Sequence, residues 1–397
     1  MNAEVWITGL GAVTAAGIGT DRLRNALLAG NSCVTPDPAL TDLPTGRAPD
    51  LCARRVTRHL DRSASMFVAA AEEAWQDAGL TDVSLNPARC GVIEGSSLGP
   101  MAELLAAVGG LRREKEAYRP SGLVRFMIGA GGASMAQVHG LQGPVFHVSA
   151  GSVSATCAIG EAYHRIASGA ADVVVAGGAE CPLAPEIVGH FRAAGLVAGP
   201  IDGVPACRPF DVQRHGTVLG EGAGVLVLEA AAHAERRGAR PRAMLSGYGL
   251  SCEAHSMITP DPAGCGVAHA AIDALGCTPP SGISWIKTHG TGTRVNDAAE
   301  CAGLAAVFGG ALAQTPLTSL KPTLGHCLGA SGAVEAVAVV VCVEAGVIPA
   351  TLGTSEVDPA LPACTVVRKI QPHPARRVLV LAESFGGRCA ALVIGMS

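Results

Sequence analysis

Aromatic and charged residues are scarce in this 397-residue chain: Phe, Trp and Tyr make up 3% of it and Asp, Glu, Lys and Arg 16%. So few rings exclude a stacking platform for nucleobases. A net charge of −4 provides no basic field, which excludes nucleic acid as a partner. Eighteen uninterrupted apolar residues are also lacking. The longest such stretch, AVEAVAVVVCVEAGVI, is broken by Glu335 and Glu344, so no membrane span is expected. No two of the 14 cysteines form C-x-x-C, and no His/Cys/Asp group has the spacing of a structural zinc site. The thiols therefore read as reduced, small hydrophobes of a cytoplasmic protein, with no metal. The start, MNAEVWITGLGAVT, has no basic segment ahead of its apolar stretch and reads as a first strand, not a leader. Neither a P-loop nor a correctly placed G-x-G-x-x-G is present.

What is abundant is glycine, 51 residues without period or clustering, in a chain that is 49% apolar. That suits an α/β protein with many tight turns. The length allows two or three units or one large α/β body. Strand-like runs at Val5–Leu10, Cys90–Glu94, Val145–Val148, Ala171–Ala176, Val225–Leu228, Ala243–Tyr248, Trp285–Lys287, Val378–Leu381 and Ala390–Ile394 alternate with helical patterns. The helices are expected at Ala64–Ala78, Ser154–Ala167, Val267–Leu275, Asp297–Phe308 and Gly332–Glu344. Five prolines between Cys181 and Pro209 predict a loop over a surface or a site mouth.

Four segments are rich in chemistry. Ser149-Ala150-Gly151-Ser152-Val153-Ser154 joins a strand to a helix, where backbone N–H groups and the helix dipole favour developing negative charge. These serines serve equally well as plain helix caps. Lys287-Thr288-His289-Gly290-Thr291-Gly292-Thr293, followed by Asp297 and Glu300, places a His among small residues at a strand end, either reachable by substrate or satisfied in the core. Lys321 and His326 are five apart ahead of a small-residue helix, a charge-tuned pair or a surface Lys with a capping His. Phe385-Gly386-Gly387 links two strands, as an oxyanion-binding turn or as an ordinary one.

Taken together these segments resemble the β-ketoacyl-acyl-carrier-protein synthases of the thiolase superfamily. The resemblance spans essentially the whole chain: WITGLGAVTAAG, ADVVVAGGAE, CRPFDVQRHGTVLGEGAGVLVLE, GYGLSCEAHSMITPDPAG, HGTGT and KPTLGHCLGASGAVE all look like family segments. It implies an α/β, five-layer αβαβα thiolase-like fold of two pseudo-equivalent halves, 1–245 with the nucleophile turn and 246–397 with the histidines. It implies that His289 and His326 stabilise a thioester enolate, that Lys321 is the family's active-site lysine, and that Glu300 belongs to the supporting network. Thr291, Thr293, Phe385, Gly386 and Gly387 would contact substrate, with Phe385 as the gating aromatic and its N–H as an oxyanion donor. The expected partners are an acyl carrier protein, met by a basic patch at Arg112, Arg113 and Lys115, and a second ketosynthase subunit. The latter would form a homodimer or heterodimer through about Gly143–Ser149. No cofactor is implied, since substrates ride on the carrier's phosphopantetheine arm.

Two departures qualify the resemblance. Counting back from Ile159-Gly160, the family's nucleophilic Cys falls on Ser152, and Cys157 reads as a core thiol. The family's N-S-F-G-F-G-G-T-N becomes Leu381-Ala382-Glu383-Ser384-Phe385-Gly386-Gly387-Arg388-Cys389, which brings charge to the gate. A Ser hydroxyl is a weaker acid than a thiol and needs a positioned base. The expectation is an acyltransferase of fatty acid or polyketide biosynthesis with Ser152 as acyl acceptor. The alternative is a non-elongating, chain-length-factor-type subunit of a Cys-bearing ketosynthase.

Overall fold

In the computed structural model of the chain, residues 3–52, 57–112, 120, 122–199, 207–374 and 376–396 are described. The expected patch at Arg113 and Lys115, and the side chain of Arg112, lie outside the described residues.

The first half of the chain supplies β1 (Val5–Thr14), β2 (Cys90–Gly95), β3 (Val145–Val148), β4 (Val173–Glu180) and β5 (Gly222–Ala230). The second supplies β6 (Ala243–Cys252), β7 (Trp285–Lys287), β8 (Pro316–Thr318), β9 (Thr365–Val366), β10 (Arg377–Ser384) and β11 (Arg388–Gly395). Across the sheet the first set runs β1-β5-β4-β2-β3 and the second β6-β11-β10-β7-β8, with the two-residue β9 beyond β8. Numbered within its own half, and leaving β9 aside, each reads 1-5-4-2-3. The directions repeat too: the first two pairings are antiparallel and the next two parallel in both halves. The halves join where Val5–Ile7 of β1 pairs antiparallel with Leu245–Ala243 of β6.

The helices of eight or more residues are α1 (Thr20–Ala29), α2 (Arg62–Asp77), α3 (Met101–Arg112), α4 (Ala130–His139), α5 (Ser154–Ala167), α6 (Pro185–Ala193), α7 (Cys265–Leu275), α8 (Arg294–Phe308) and α9 (Ser331–Glu344). Helices α2 and α4 cover the outer face of the first set of strands, and α7, backed by α8, covers that of the second. Between the two sets lie α5 and α9, each touching strands of both. The order of layers is αβαβα.

This layering explains why the strands read as unbroken apolar runs. In β5, Val225 and Val227 pack outward with Phe67, Ala70 and Ala74 of α2, while Leu226 and Leu228 pack inward with Ile159 and Val337. In β11, Ala391 and Val393 face Ala270 and Leu304, and Leu392 and Ile394 face the central layer. A strand buried on both faces has no polar alternation to show. Helix α9 is buried from Ser331 to Cys342, so its apolar stretch serves the protein's centre. Among the described residues no helix is long and apolar enough to cross a membrane.

The two central helices each follow the third strand of their half, and their N-terminal ends meet. A Cβ at Gly332 would stand 1.9 Å from Thr156 Oγ1. Only glycine permits that approach.

One sequence expectation is corrected here, and one helix is added to those expected. The proline-rich stretch after Cys181 contains helix α6, opened by Pro185 in its first turn, where a missing N–H is harmless; residues 200–206 of that stretch lie outside the described residues. Helix α4, AGGASMAQVH, was not anticipated, because glycine disfavours helices. Its glycines are required by packing: Cβ atoms at Gly131 and Gly132 would press on Glu94 and Phe67 or Val92 at 3.0–3.3 Å.

Candidate active site at the meeting of the central helices

The turn ahead of α5 is held by Ser154. Its hydroxyl accepts from Ala150 N at 2.9 Å and donates to Gly151 O at 2.6 Å. Gly151 takes φ 66°, the left-handed region, and a Cβ there would collide with Ser384 Oγ at 2.0 Å. This places Ser152 just outside the first turn of a fourteen-residue helix, with its backbone N–H donating to Ser384 Oγ at 2.8 Å. Cys157, by contrast, is 4% exposed within the central apolar cluster, and burial pushes its thiol up.

His326 approaches the same turn from the segment that leads into α9. Its Nε2 lies 3.4 Å from Ser152 Oγ, and its Nδ1 lies 2.9 Å from Ser331 Oγ. If Nδ1 carries the proton and donates to Ser331, Nε2 is free to accept from Ser152. The His289 ring stands nearly perpendicular to it, with centroids 5.2 Å apart. Burial, and after it the Lys321 charge, holds both imidazoles well below their ordinary value, so both are neutral at pH 7.

Behind them is a fully buried ionic network. Lys321 Nζ reaches Glu335 Oε1 at 3.0 Å and His289 Nδ1 at 3.3 Å, and also donates to the His289 carbonyl. Lys287 Nζ meets the other Glu335 oxygen and Leu381 O at 2.8 Å. Glu300 accepts from the backbone N–H of His289 and, at 2.8 Å, of Gly290, clamping the turn after β7. Burial pushes Glu300 up to about 7. Asp297 accepts from Phe210 N at 2.7 Å and Gly292 N at 3.1 Å, fixing the rest of that turn.

Ser152, His289, His326, Thr291, Thr293, Phe385 and Gly387 all line one cavity of about 350 Å³. Lys321 and Glu300 do not: both are wholly buried and act on the cavity through His289. Gly386 differs from expectation, since it does not line the cavity and its N–H donates to Met257 O at 2.9 Å, tying the turn to the segment after β6. Phe385 is 46% exposed at the mouth, its ring 6.2 Å from Phe191 of α6. Reasoning from sequence missed Ser331, Lys287, Ser384 and Glu335 as parts of the site. Glu335 did leave a signal, as an acid inside an otherwise apolar helix. Among the described residues, no group of three or more His, Cys, Asp or Glu is arranged to hold a metal.

Residues 2–234 match the N-terminal domain of beta-ketoacyl synthases and residues 242–355 the C-terminal domain. A putative polyketide beta-ketoacyl synthase 1 of Streptomyces halstedii is 34% identical, with 99% of this chain and 98% of the relative covered. Two solved structures overlay along the full length of both chains. One is a type II polyketide synthase acyl-carrier protein in complex with its ketosynthase bound to the hexaketide (TM-score 0.92, 27% identity). The other is the ishigamide ketosynthase/chain length factor (TM-score 0.91, 29% identity). With its thiolase-like layers and both domains matched, the chain belongs to the beta-ketoacyl synthase family.

Proposed function

We propose that this chain is a cytoplasmic, ketosynthase-type acyltransferase of polyketide or fatty acid biosynthesis that takes an acyl group from a carrier-protein thioester onto Ser152. The observation that carries this reading is the 3.4 Å approach of His326 Nε2 to Ser152 Oγ, at a helix N-terminus opening on the cavity. That distance is long for a hydrogen bond, as catalytic contacts often are before substrate binds. In the reaction, Ser152 Oγ attacks the thioester carbonyl and His326 Nε2 takes its proton. The tetrahedral oxyanion develops beside the α5 N-terminus, where the helix dipole and, once Ser384 has swung aside, the Ser152 N–H stabilise it. Its collapse breaks the C–S bond, and His326 returns the proton to the departing thiol. His289, held neutral by burial and Lys321, supports the later transfer or a decarboxylation. The acyl group arrives on the carrier's phosphopantetheine arm, so the reaction calls for no resident cofactor.

The edge strand β3 and the apolar side chains of Leu123, Met127, Ile128 and Val145, all at least 38% exposed, support pairing with a second ketosynthase subunit. One observation favours the alternative of a non-elongating subunit. Ser384 Oγ occupies the Ser152 N–H, the donor an oxyanion needs, and must swing aside before acylation.

Intact-protein mass spectrometry after incubation with acylated carrier proteins tests the reading. An adduct on the wild type and on Cys157→Ala, but not on Ser152→Ala, is the expected result. No adduct on any variant, together with co-purification with a Cys-bearing homologue, would replace it with the subunit reading.

A further inference from the structure

Glu383 is the penultimate residue of β10, just before Ser384, in the wall of the cavity. It is 4% exposed, and its Oε1 has no hydrogen-bond partner among the described residues. A buried polar atom without a partner is destabilising, so its presence calls for an explanation. Among the described residues no cation pairs with it: Lys287 and Lys321 are committed to Glu335, and Arg388 turns Nη1 to Phe385 O at 3.3 Å. The strand's alternation puts Glu383 on the face of Leu379 and Leu381, towards α7 and α8, and so on the His289 side of the cavity. Its neighbours there are acidic, Glu300, Glu253 and Asp297. Burial, reinforced by these charges, pushes the carboxyl well above its ordinary value and so favours the protonated form, which can donate a hydrogen bond. The rest of that wall, with Met257, Ile258 and Val295, is largely apolar.

We propose that Glu383 is a specificity-determining residue of this cavity, its unpartnered carboxyl hydrogen-bonding an oxygen carried on the acyl chain. Oxygenated chains are thereby selected over plain alkyl ones. The inference rests on the cavity being an acyl-substrate pocket, as proposed above, but not on Ser152 being acylated. A site built to hydrogen-bond a substrate group rejects the analogue lacking it, because the protein's own buried group is then left unpaired.

Unreactive acyl-pantetheine amides of matched length, one plain and one with a 3-oxo group, test this by calorimetric titration. The proteins are wild type, Glu383→Gln, Glu383→Leu and, as a second apolar variant, Glu383→Ala, each checked for folding by circular dichroism. The wild type is expected to prefer the 3-oxo chain about tenfold, the worth of one hydrogen bond to a buried group. Glu383→Gln, which keeps a donor, should retain the preference, and the apolar variants should lose it. An unchanged preference in a folded apolar variant, or none in the wild type, would overturn the proposal. Failure of both amides to bind the wild type would overturn it together with the acyl-pocket reading. The expected pattern without any acyl adduct on Ser152 would uphold the role of Glu383 and remove only the transferase reading.

Discussion

Glu335 is the residue on which the buried charges converge. It lies in α9 with one carboxylate oxygen on Lys287 and the other on Lys321, and all three side chains are shielded from water. A buried ion pair need not add net stability, but removing one partner strands the other at a cost of about 3–5 kcal/mol. Glu335→Leu strands two ammonium groups, so a loss at or above that figure is expected in denaturant unfolding. Glu383 gives a prediction in pH. Its carboxyl titrates well above the ordinary 4.5 because it is buried and faces Glu300, Glu253 and Asp297, with Lys321 opposing. The folded state therefore holds this proton after the unfolded chain has released it. Its contribution to stability is fully present below about pH 4.5 and is lost as pH rises towards the folded value. Glu383→Gln imitates the protonated form. Melting curves should show it gaining on the wild type from pH 5 to pH 8, and matching it near pH 4.

At the level of elements, the site depends on how closely α5 and α9 approach. Gly332 sits opposite Thr156 with no room for a Cβ. Gly332→Ala should lower stability by about 1–3 kcal/mol through overpacking. It should also slow any reaction at Ser152, because the same shift separates His326 from the turn that holds Ser152. Thr156→Ala should recover part of both losses, since contacting residues do not add independently. Unfolding and adduct-formation rates of the double variant check this.

For the whole molecule, the edge strand β3 pairs on one side only, and the residues beside it are apolar. Ile128 packs by Gly99, and Gly129 by His147 of β3, so these exposed side chains adjoin the strand. Light scattering after gel filtration should give a dimer, or a heterodimer when a homologous subunit is co-expressed. Ile128→Asp should yield monomers while leaving the fold intact by circular dichroism.

The sequence by itself determined the family, the alternation of strands and helices, and the small-residue turns around Ser152, His289 and His326. These are local matters: a strand buried on both faces must be apolar, and a sharp turn must be small. It did not reveal helix α4, whose glycines answer to Glu94 and Phe67 across the layer, or helix α6, hidden behind its prolines. Nor did it separate the residues lining the cavity from those acting through them. Lys321, Glu300 and Glu335 are spread over 36 positions, and only the folding of one half against the other makes them a network behind His289. Tertiary structure alone also decided that Ser384 covers the Ser152 N–H and that Glu383 keeps an unpaired oxygen in the wall, because both depend on where β10 ends relative to α5.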